Sequence, residues 1–256
     1  GVVSTTELVA NGEFLNNITG WTDESTGTGS IAWNASGYME VIGTDFSNRG
    51  RAMVSFTTIV GARYKFTATK TGDSNMDVYV GTTGSGTGTE ITSEAMAPTN
   101  TTNTYYFTAT TTTTYITFSE AGNSTTQIDN VSVKQDNLVL NGGFDSDTLW
   151  TKGTGWSISG GTATSDNSQT GTSALEQSLS LVNGVVYEIT YDWSVASVGA
   201  TVPYLGSDTT DTWDSTTGTG LVIYLRYTGS TGAANFRFFT GADSDGTFDN
   251  VSVKAI

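Results

Sequence analysis

The side chains able to do specific chemistry in this sequence are few in kind. There are 25 carboxylates, 11 tyrosines and six tryptophans against ten Lys and Arg, with no histidine and no cysteine. Without His or Cys there is no Ser-His-Asp or Cys-His nucleophile system, no zinc site of the usual nitrogen and sulfur ligands, and no thiol redox chemistry. What remains is cation binding through oxygen and contact through aromatic rings. Two carboxylates recur, Asp129 and Asp249, each in an Asp-Asn-Val-Ser-Val-Lys block. Asp208, Asp211 and Asp214 cluster on a Thr-rich stretch, and Asp243 and Asp245 on a Gly/Ser stretch. Paired carboxylates are glycosidase equipment, but catalytic pairs usually come from separate strands flanking a cleft. Loop acids this close in sequence read as solvated groups or cation ligands, so the chain is not expected to be an enzyme.

Among the aromatics, Trp213 stands in Asp-Thr-Thr-Asp-Thr-Trp-Asp-Ser, with no apolar neighbour. A large ring in such a loop invites contact with a ligand or partner; the alternative is a tuck over a sheet edge or a domain junction. Trp193 alternates with Tyr191 in a run that also carries Asp192 and Ser194, so one face of that run must be less buried. Trp33, Tyr38, Tyr79, Tyr204 and Tyr224 sit in alternating runs that suit a core at least as readily as a binding face. Trp21 and Trp156, each preceded by Gly, read as equivalent core residues.

These residues are positioned by a tandem repeat. Glu7-Leu8-Val9-Ala10-Asn11-Gly12-Glu13-Phe14 reads against Asn137-Leu138-Val139-Leu140-Asn141-Gly142-Gly143-Phe144. Gly61-Ala62-Arg63-Tyr64 reads against Gly184-Val185-Val186-Tyr187, and the block from Ile128 to Lys134 returns from Phe248 to Lys254. Two units follow, 1–135 and 136–256. Inside each, β-branched and aromatic residues alternate with Thr and Ser at a period of two, as in Tyr64-Lys65-Phe66-Thr67-Ala68 and Leu221-Val222-Ile223-Tyr224-Leu225. Gly-, Asn- and Asp-rich stretches punctuate them, and the Thr110 to Thr114 run reads as a hairpin turn. No window shows a 3.6-residue apolar period. The expectation is all-β: two tandem jelly-roll β-sandwich domains whose first and last segments lie adjacent.

Composition agrees. Thr fills roughly a fifth of the chain, Gly contributes 31 residues, and 36% hydrophobic content is enough for a core without disulfides. A formal net charge of −15 leaves no footprint for nucleic acid, and no apolar run approaches the ~20 residues of a membrane span. A first residue of Gly rather than Met reads as a processed or excised product.

The order and spacing of Asn-Gly-x-Phe, Gly-Trp, Gly-x-x-Tyr and Asp-Asn-Val-Ser-Val, found twice, resemble the carbohydrate-binding-module jelly rolls of the CBM4/9/22 type. The form of the second unit, with Trp150, Gly155-Trp156-Ser157-Ile158-Ser159-Gly160-Gly161 and Gln177-Ser178-Leu179-Ser180-Leu181, is most similar to tandem repeats of bacteriophage tail-fibre and virion-surface proteins. The resemblance implies one structural Ca²⁺ per domain, held by Glu13, Gly37 and Asp129 in the first and by Gly143, Gly161 and Asp249 in the second. Six to eight oxygens from carboxylate, carbonyl and water suit that ion. The bland reading of Asp129 and Asp249 is a turn cap before the last strand. The resemblance also implies glycan binding on exposed rings, for which Trp213, Trp193, Tyr204, Trp33 and Tyr79 are the candidates. The acidic surface favours a neutral glycan over an anionic one unless Ca²⁺ bridges. The expectation is thus a non-catalytic virion-surface protein, a tail-fibre or capsid-decoration element touching host glycans and virion or self-assembly partners. The alternatives are a secreted tandem carbohydrate-binding module of a polysaccharide-degrading enzyme, or an extracellular filament subunit.

Overall fold

The computed structural model describes residues 6–72, 76–84, 89–97, 101–195, 199–209, 215–242 and 244–256. The chain divides into two compact units that meet between Asp136 and Asn137. Every regular element among the described residues is a β-strand. The first unit contains β1 (Thr22–Asp23), β2 (Ser30–Asn34), β3 (Tyr38–Gly43), β4 (Gly50–Thr57) and β5 (Arg63–Thr71). It continues through β6 (Met76–Gly81), β7 (Thr92–Ala95), β8 (Thr101–Thr108), β9 (Thr113–Glu120) and β10 (Ser124–Gln135). Two antiparallel sheets result, ordered β1-β4-β9-β6-β7 and β2-β3-β10-β5-β8.

From β3 to β6 each strand lies in the opposite sheet from the one before it, and β10 is inserted between β3 and β5 as β9 is between β4 and β6. That interleaving is the jelly roll. It also corrects the reading of Thr110 to Thr114: β8 pairs with β5 and β9 pairs with β4 and β6, so the Thr run crosses between sheets instead of closing a hairpin.

The second unit repeats the topology. It has β11 (Thr151–Lys152), β12 (Trp156–Ser159), β13 (Thr162–Asp166), β14 (Ser173–Leu181) and β15 (Val186–Val195). Then come β16 (Thr201–Leu205), β17 (Asp208–Thr209), β18 (Gly218–Arg226), β19 (Gly232–Thr240) and β20 (Asp245–Ala255). The sheets are β11-β14-β19-β16-β17 and β12-β13-β20-β15-β18.

The repeated motifs turn out to be fasteners. The opening block is not a ladder strand but an irregular segment laid along the last strand: Leu8 N–H donates to Val133 O and Val131 N–H to Gly12 O, as Leu138 donates to Val253 O and Val251 to Gly142 O. The last strand bulges to receive it, with Asn130 and Asn250 both at φ 52°. Asn11 and Asn141 are left-handed too, and so are the buried Phe14 (φ 45°) and Phe144 (φ 52°), which is unusual for a bulky side chain. Gly is required at the second motif position, because a Cβ on Gly12 or Gly142 would stand 1.9 or 2.0 Å from the carbonyl oxygen of Val131 or Val251. Glu7 and Asn137 do one job with different groups. Each side-chain oxygen accepts from the last strand, from Val133 N–H at 2.7 Å or Val253 N–H at 2.9 Å.

Gly61 and Gly184, at φ 83° and 82°, turn the chain into β5 and β15, and the Tyr64 and Tyr187 hydroxyls each accept a backbone N–H at 2.8 Å, from Ile59 and Val182. Burial pushes both phenol pKa values up. Between the sheets, Phe14, Trp21, Phe66 and Phe118 pack together in the first unit, and Phe144, Trp150, Phe236 and Phe238 in the second.

Trp21 therefore corresponds to Trp150, not to Trp156. Each packs on the motif Phe and leads into a two-residue strand, β1 on β4 or β11 on β14. Trp156 opens β12 instead and packs on Phe248. Both Trp21 and Trp156 are buried, as read from the sequence; only their equivalence fails.

Candidate functional site

Alternation along the strands sorts each sheet into an inner and an outer face. In β9, Phe118 packs inward on Phe66, so Thr117 and Ser119 face outward, yet they are only 2% and 0% exposed. On the other sheet the outward Thr67 and Thr69 of β5 are half-buried. The outer face of the β4-β9-β6 sheet is thus the recessed one. Its floor is Thr117 and Ser119, and register places Met53 and Tyr79 on either side of Thr117, and Arg51 and Asp77 on either side of Ser119. Arg49, two residues before Arg51 and so in phase with it, reaches the same floor, its Nη1 standing 3.5 Å from Ser119 Oγ. The Tyr79 hydroxyl donates to Asp77 Oδ2 at 3.3 Å. Burial, followed by the Asp77 charge, raises the Tyr79 pKa, while Arg49 and Arg51 oppose the rise. One tyrosine, one carboxylate and two guanidinium groups are therefore gathered on a sheltered sheet.

The same face of the second unit carries Tyr204, which pairs with Arg237 as Tyr79 pairs with Thr117. Tyr79 and Tyr204, separate candidates in the sequence, occupy one structural position. Tyr204 meets Phe239 edge-on at 5.0 Å, and Arg237 Nε donates to Glu176 Oε2 at 2.9 Å. Beside Phe239 a cleft of roughly 470 Å³ opens, lined by Thr154, Gln169, Thr172, Ser173 and Ala174 among others. Aromatic rings next to amide, hydroxyl and guanidinium groups can stack on the CH face of a sugar ring and bond its hydroxyls. Sequence reading missed Arg49, Arg51, Glu176 and Arg237. The i, i+2 spacing of Arg49 and Arg51 in a chain with ten cations was the available signal.

The remaining aromatic candidates fall elsewhere. Trp193 is 1% exposed, with its ring 4.3 Å from that of Phe248. It shares the inward phase of Tyr187, Ile189 and Tyr191, so it belongs to the core and offers no stacking surface. Trp33 lies on edge strand β2, 40% exposed, and its indole N–H is spent on Phe14 O at 2.7 Å. Trp213 lies outside the described residues, as do Asp211, Asp214 and Asp243. Asp208 holds Thr228 through its backbone N–H and hydroxyl at 2.7 and 2.6 Å. Tyr224 is exposed on β18, and its counterpart by register is Tyr106, since Tyr224 opposes Glu188 as Tyr106 opposes Lys65.

A second cleft, of roughly 410 Å³, opens by β15, β18 and β20 of the second unit, where Asp192 and Asp249 are cross-strand partners. Asp192 accepts from Gly220 N–H and Asn250 Nδ2, at 2.6 and 2.8 Å, and Asp249 accepts from Asn250 N–H at 2.7 Å.

The residues expected to hold calcium are placed unequally in the two units. In the second unit a Cβ on Gly161 would lie 3.9 Å from Gly143 O, so the two named glycines do approach each other, and Asp249 retains a second carboxylate oxygen beyond the one bonded to Asn250. Asp249 itself lines the cleft it shares with Asp192, and no contact among the described residues brings its carboxylate to the two glycines; carbonyl and carboxylate oxygens are nonetheless the donor types Ca²⁺ takes. In the first unit no atom comes within 4 Å of where a Gly37 Cβ would stand, Glu13 is exposed, and both Asp129 oxygens accept from Asn130. The indole N–H of Trp33 is also directed at the carbonyl that follows Glu13, and a donor hydrogen there is unfavourable to a cation. The first-unit set of Glu13, Gly37 and Asp129 is not brought together in the same way. No cluster of three or more acidic side chains suited to a metal occurs among the described residues.

No family model and no curated relative matches the chain. Among solved structures, the tandem CBM22 domains of Paenibacillus barcinonensis Xyn10C align over 100% of both chains, with 11% identity and a TM-score of 0.42. The enzymatically active domain of bacteriophage CBA120 tailspike protein 4 aligns over 51% of this chain and 21% of its own, with 15% identity and a TM-score of 0.41. A Paenibacillus xanthan lyase aligns over 91% of this chain and 25% of its own, with 12% identity and a TM-score of 0.33. Similarity at this level carries no argument about chemistry.

Proposed function

We propose that the protein is a non-catalytic glycan-binding protein whose two jelly rolls each present one recessed sheet face to carbohydrate, in an extracellular or virion-surface setting such as a tail fibre or capsid decoration. The observation that carries this reading is the coincidence of Tyr79 and Tyr204 at one position of the same face, each beside arginine and acidic groups. A ring repeated on an outward face serves no core, and a sheltered mixture of ring, guanidinium and carboxylate suits a polyhydroxylated ring.

A glycan array probed with the full chain, with and without EDTA, tests the reading. Binding is expected, with Tyr79→Ala and Tyr204→Ala each weakening it by about tenfold, an aromatic contact being worth roughly 1 kcal/mol beyond its burial. Absence of binding to any glycan in both conditions would sink it. Within this reading, Gly143, Gly161 and Asp249 would hold a structural Ca²⁺ in the second unit, tying its opening segment to its last strand. Chelation should then lower the melting midpoint of the second unit by several degrees and leave the first unit unmoved. An unchanged midpoint, with no metal found by elemental analysis, removes the ion from the account.

A further inference from the structure

We infer that the recessed face of the first unit selects acidic glycans, with Arg49 and Arg51 engaging the carboxylate of a hexuronate beside Tyr79. The inference rests on that face being a glycan surface, and it assigns the first unit a ligand class that the second unit does not share.

The decisive group is Arg51. Its Nε is buried and has no hydrogen-bond partner, whereas buried donors are nearly always satisfied. Leaving such a donor unmet costs free energy, and because Nε itself lies below the surface, the part of this guanidinium that a ligand can reach is its Nη end. Arg51 stands across from Ser119, and Arg49 Nη1 reaches Ser119 Oγ, so two guanidinium groups converge on the same floor. Neither takes part in any of the four ion pairs found among the described residues. Two acids share this face: Asp77 receives the Tyr79 hydroxyl, and Glu24 lies across from Arg51, its backbone N–H donating to Arg51 O. The local balance is two cations against two anions, in a chain of net charge −15, and neither acid is ion-paired with either guanidinium among the described residues. A planar guanidinium matches a carboxylate with two parallel donors, which a neutral sugar hydroxyl cannot do.

The second unit removes the same features one by one. Ala174 takes the place of Arg51, since each lies two residues before the strand position that opposes the outward residue beside the repeated tyrosine. Val202 takes the place of Asp77, and the cation that is present, Arg237, is already bonded to Glu176 Oε2 and Gly206 O. A neutral ligand suits that face. The overall negative charge does not forbid an anion on the first, because exposed charges are screened beyond ~8 Å at physiological ionic strength.

Calorimetric titration of the full chain in EDTA with galacturonate and alginate oligosaccharides, each against its methyl ester, tests the selection. The free acids should bind about tenfold tighter than the esters, which lose the charge and gain one methyl group. Arg51→Gln should abolish the difference at an unchanged melting temperature, Arg51→Lys should restore part of it, and Lys65→Gln, an equal charge loss on the other sheet, should preserve it. Esters that bind as well as acids, or a preference that survives Arg51→Gln, overturn the selection while leaving glycan binding intact. Failure of every acid and every ester to bind, together with an empty glycan array, rejects the glycan reading itself.

Discussion

The same end of the sandwich core is filled in opposite ways in the two units. Inward on β5, next to Ile128 of β10, the first unit has Lys70; at the matching point of β15, next to Phe248 of β20, the second has Trp193. Opposite them, Glu120 ends β9 where Thr240 ends β19. Lys70 and Glu120 are 1% and 0% exposed. The Glu120 carboxylate accepts the Ser124 hydroxyl at 2.7 Å and the Thr126 hydroxyl. In the second unit the indole fills the space, and Gly246 stands where Thr126 does, because a Cβ there would lie 2.3 Å from Trp193 Cη2. The difference teaches that the frame does not depend on this end of the core. The fasteners and the interleaved strands are common to both units, while the plug is polar, with a carboxylate bonded to two hydroxyls, in one and aromatic in the other.

The largest effect should come from removing the aromatic plug. Trp193→Ala leaves a cavity the size of an indole and should cost the second unit about 3–5 kcal/mol. Glu120→Ala strands the Ser124 and Thr126 hydroxyls, two donors left without this acceptor, so a loss of about 1–3 kcal/mol is expected in the first unit. Calorimetry that resolves two transitions should show each substitution lowering one of them only. If Glu120→Ala costs under about 0.5 kcal/mol, the polar plug contributes little net stability.

Breaking what the units share sharpens the contrast. Gly12→Ala and Gly142→Ala each drive a Cβ into a carbonyl of the last strand, at 1.9 and 2.0 Å. Each should cost roughly 2–4 kcal/mol, and by similar amounts, because the obstacle is backbone in both cases. A large inequality, measured by denaturant unfolding of the two variants, would mean that the fasteners are not energetically equivalent.

This frame was largely legible in the sequence. Period-two alternation located the strands, and the repeated Asn-Gly-x-Phe and Asp-Asn-Val-Ser-Val blocks marked the ends that meet. Their role as a left-handed segment docked on a bulge was not legible, since one-letter similarity carries no φ angle. Local resemblance misled where loop lengths differ: Gly-Trp recurs at Trp21 and Trp156, but the ring that packs on the second motif Phe is Trp150. The recessed face was half visible. Tyr79 and Tyr204 were in view as individuals, while Arg51 lies 28 positions before Tyr79 and joins it only because β9 comes between their strands. Trp193 was ambiguous because Asp192 and Ser194 beside it are polar, and only Phe248 and Phe238 behind it fix the inward phase.

The smallest expected effect separates the units by their turns. Asp45, after β3, has its pKa lowered from 3.8 first by the Asn48 side chain, then by the backbone N–H groups of Asn48 and Ser47. Asp166, at the end of β13, has its pKa lowered by Ser168, through side chain first and backbone second. Both are solvent-exposed, so their contribution to stability is slight. Its sign is fixed by linkage: a depressed carboxylate pKa adds stability above the unfolded-state value near 3.8, and that stability fades as pH falls through the folded-state value. Carbon-detected NMR titration should place both carboxyl midpoints below 3.8. Asn48→Ala should return Asp45 toward the ordinary value and leave Asp166 unmoved, and Ser168→Ala should do the reverse. A shift of both midpoints by either substitution would show that long-range charge, rather than the local turn, sets these two acids.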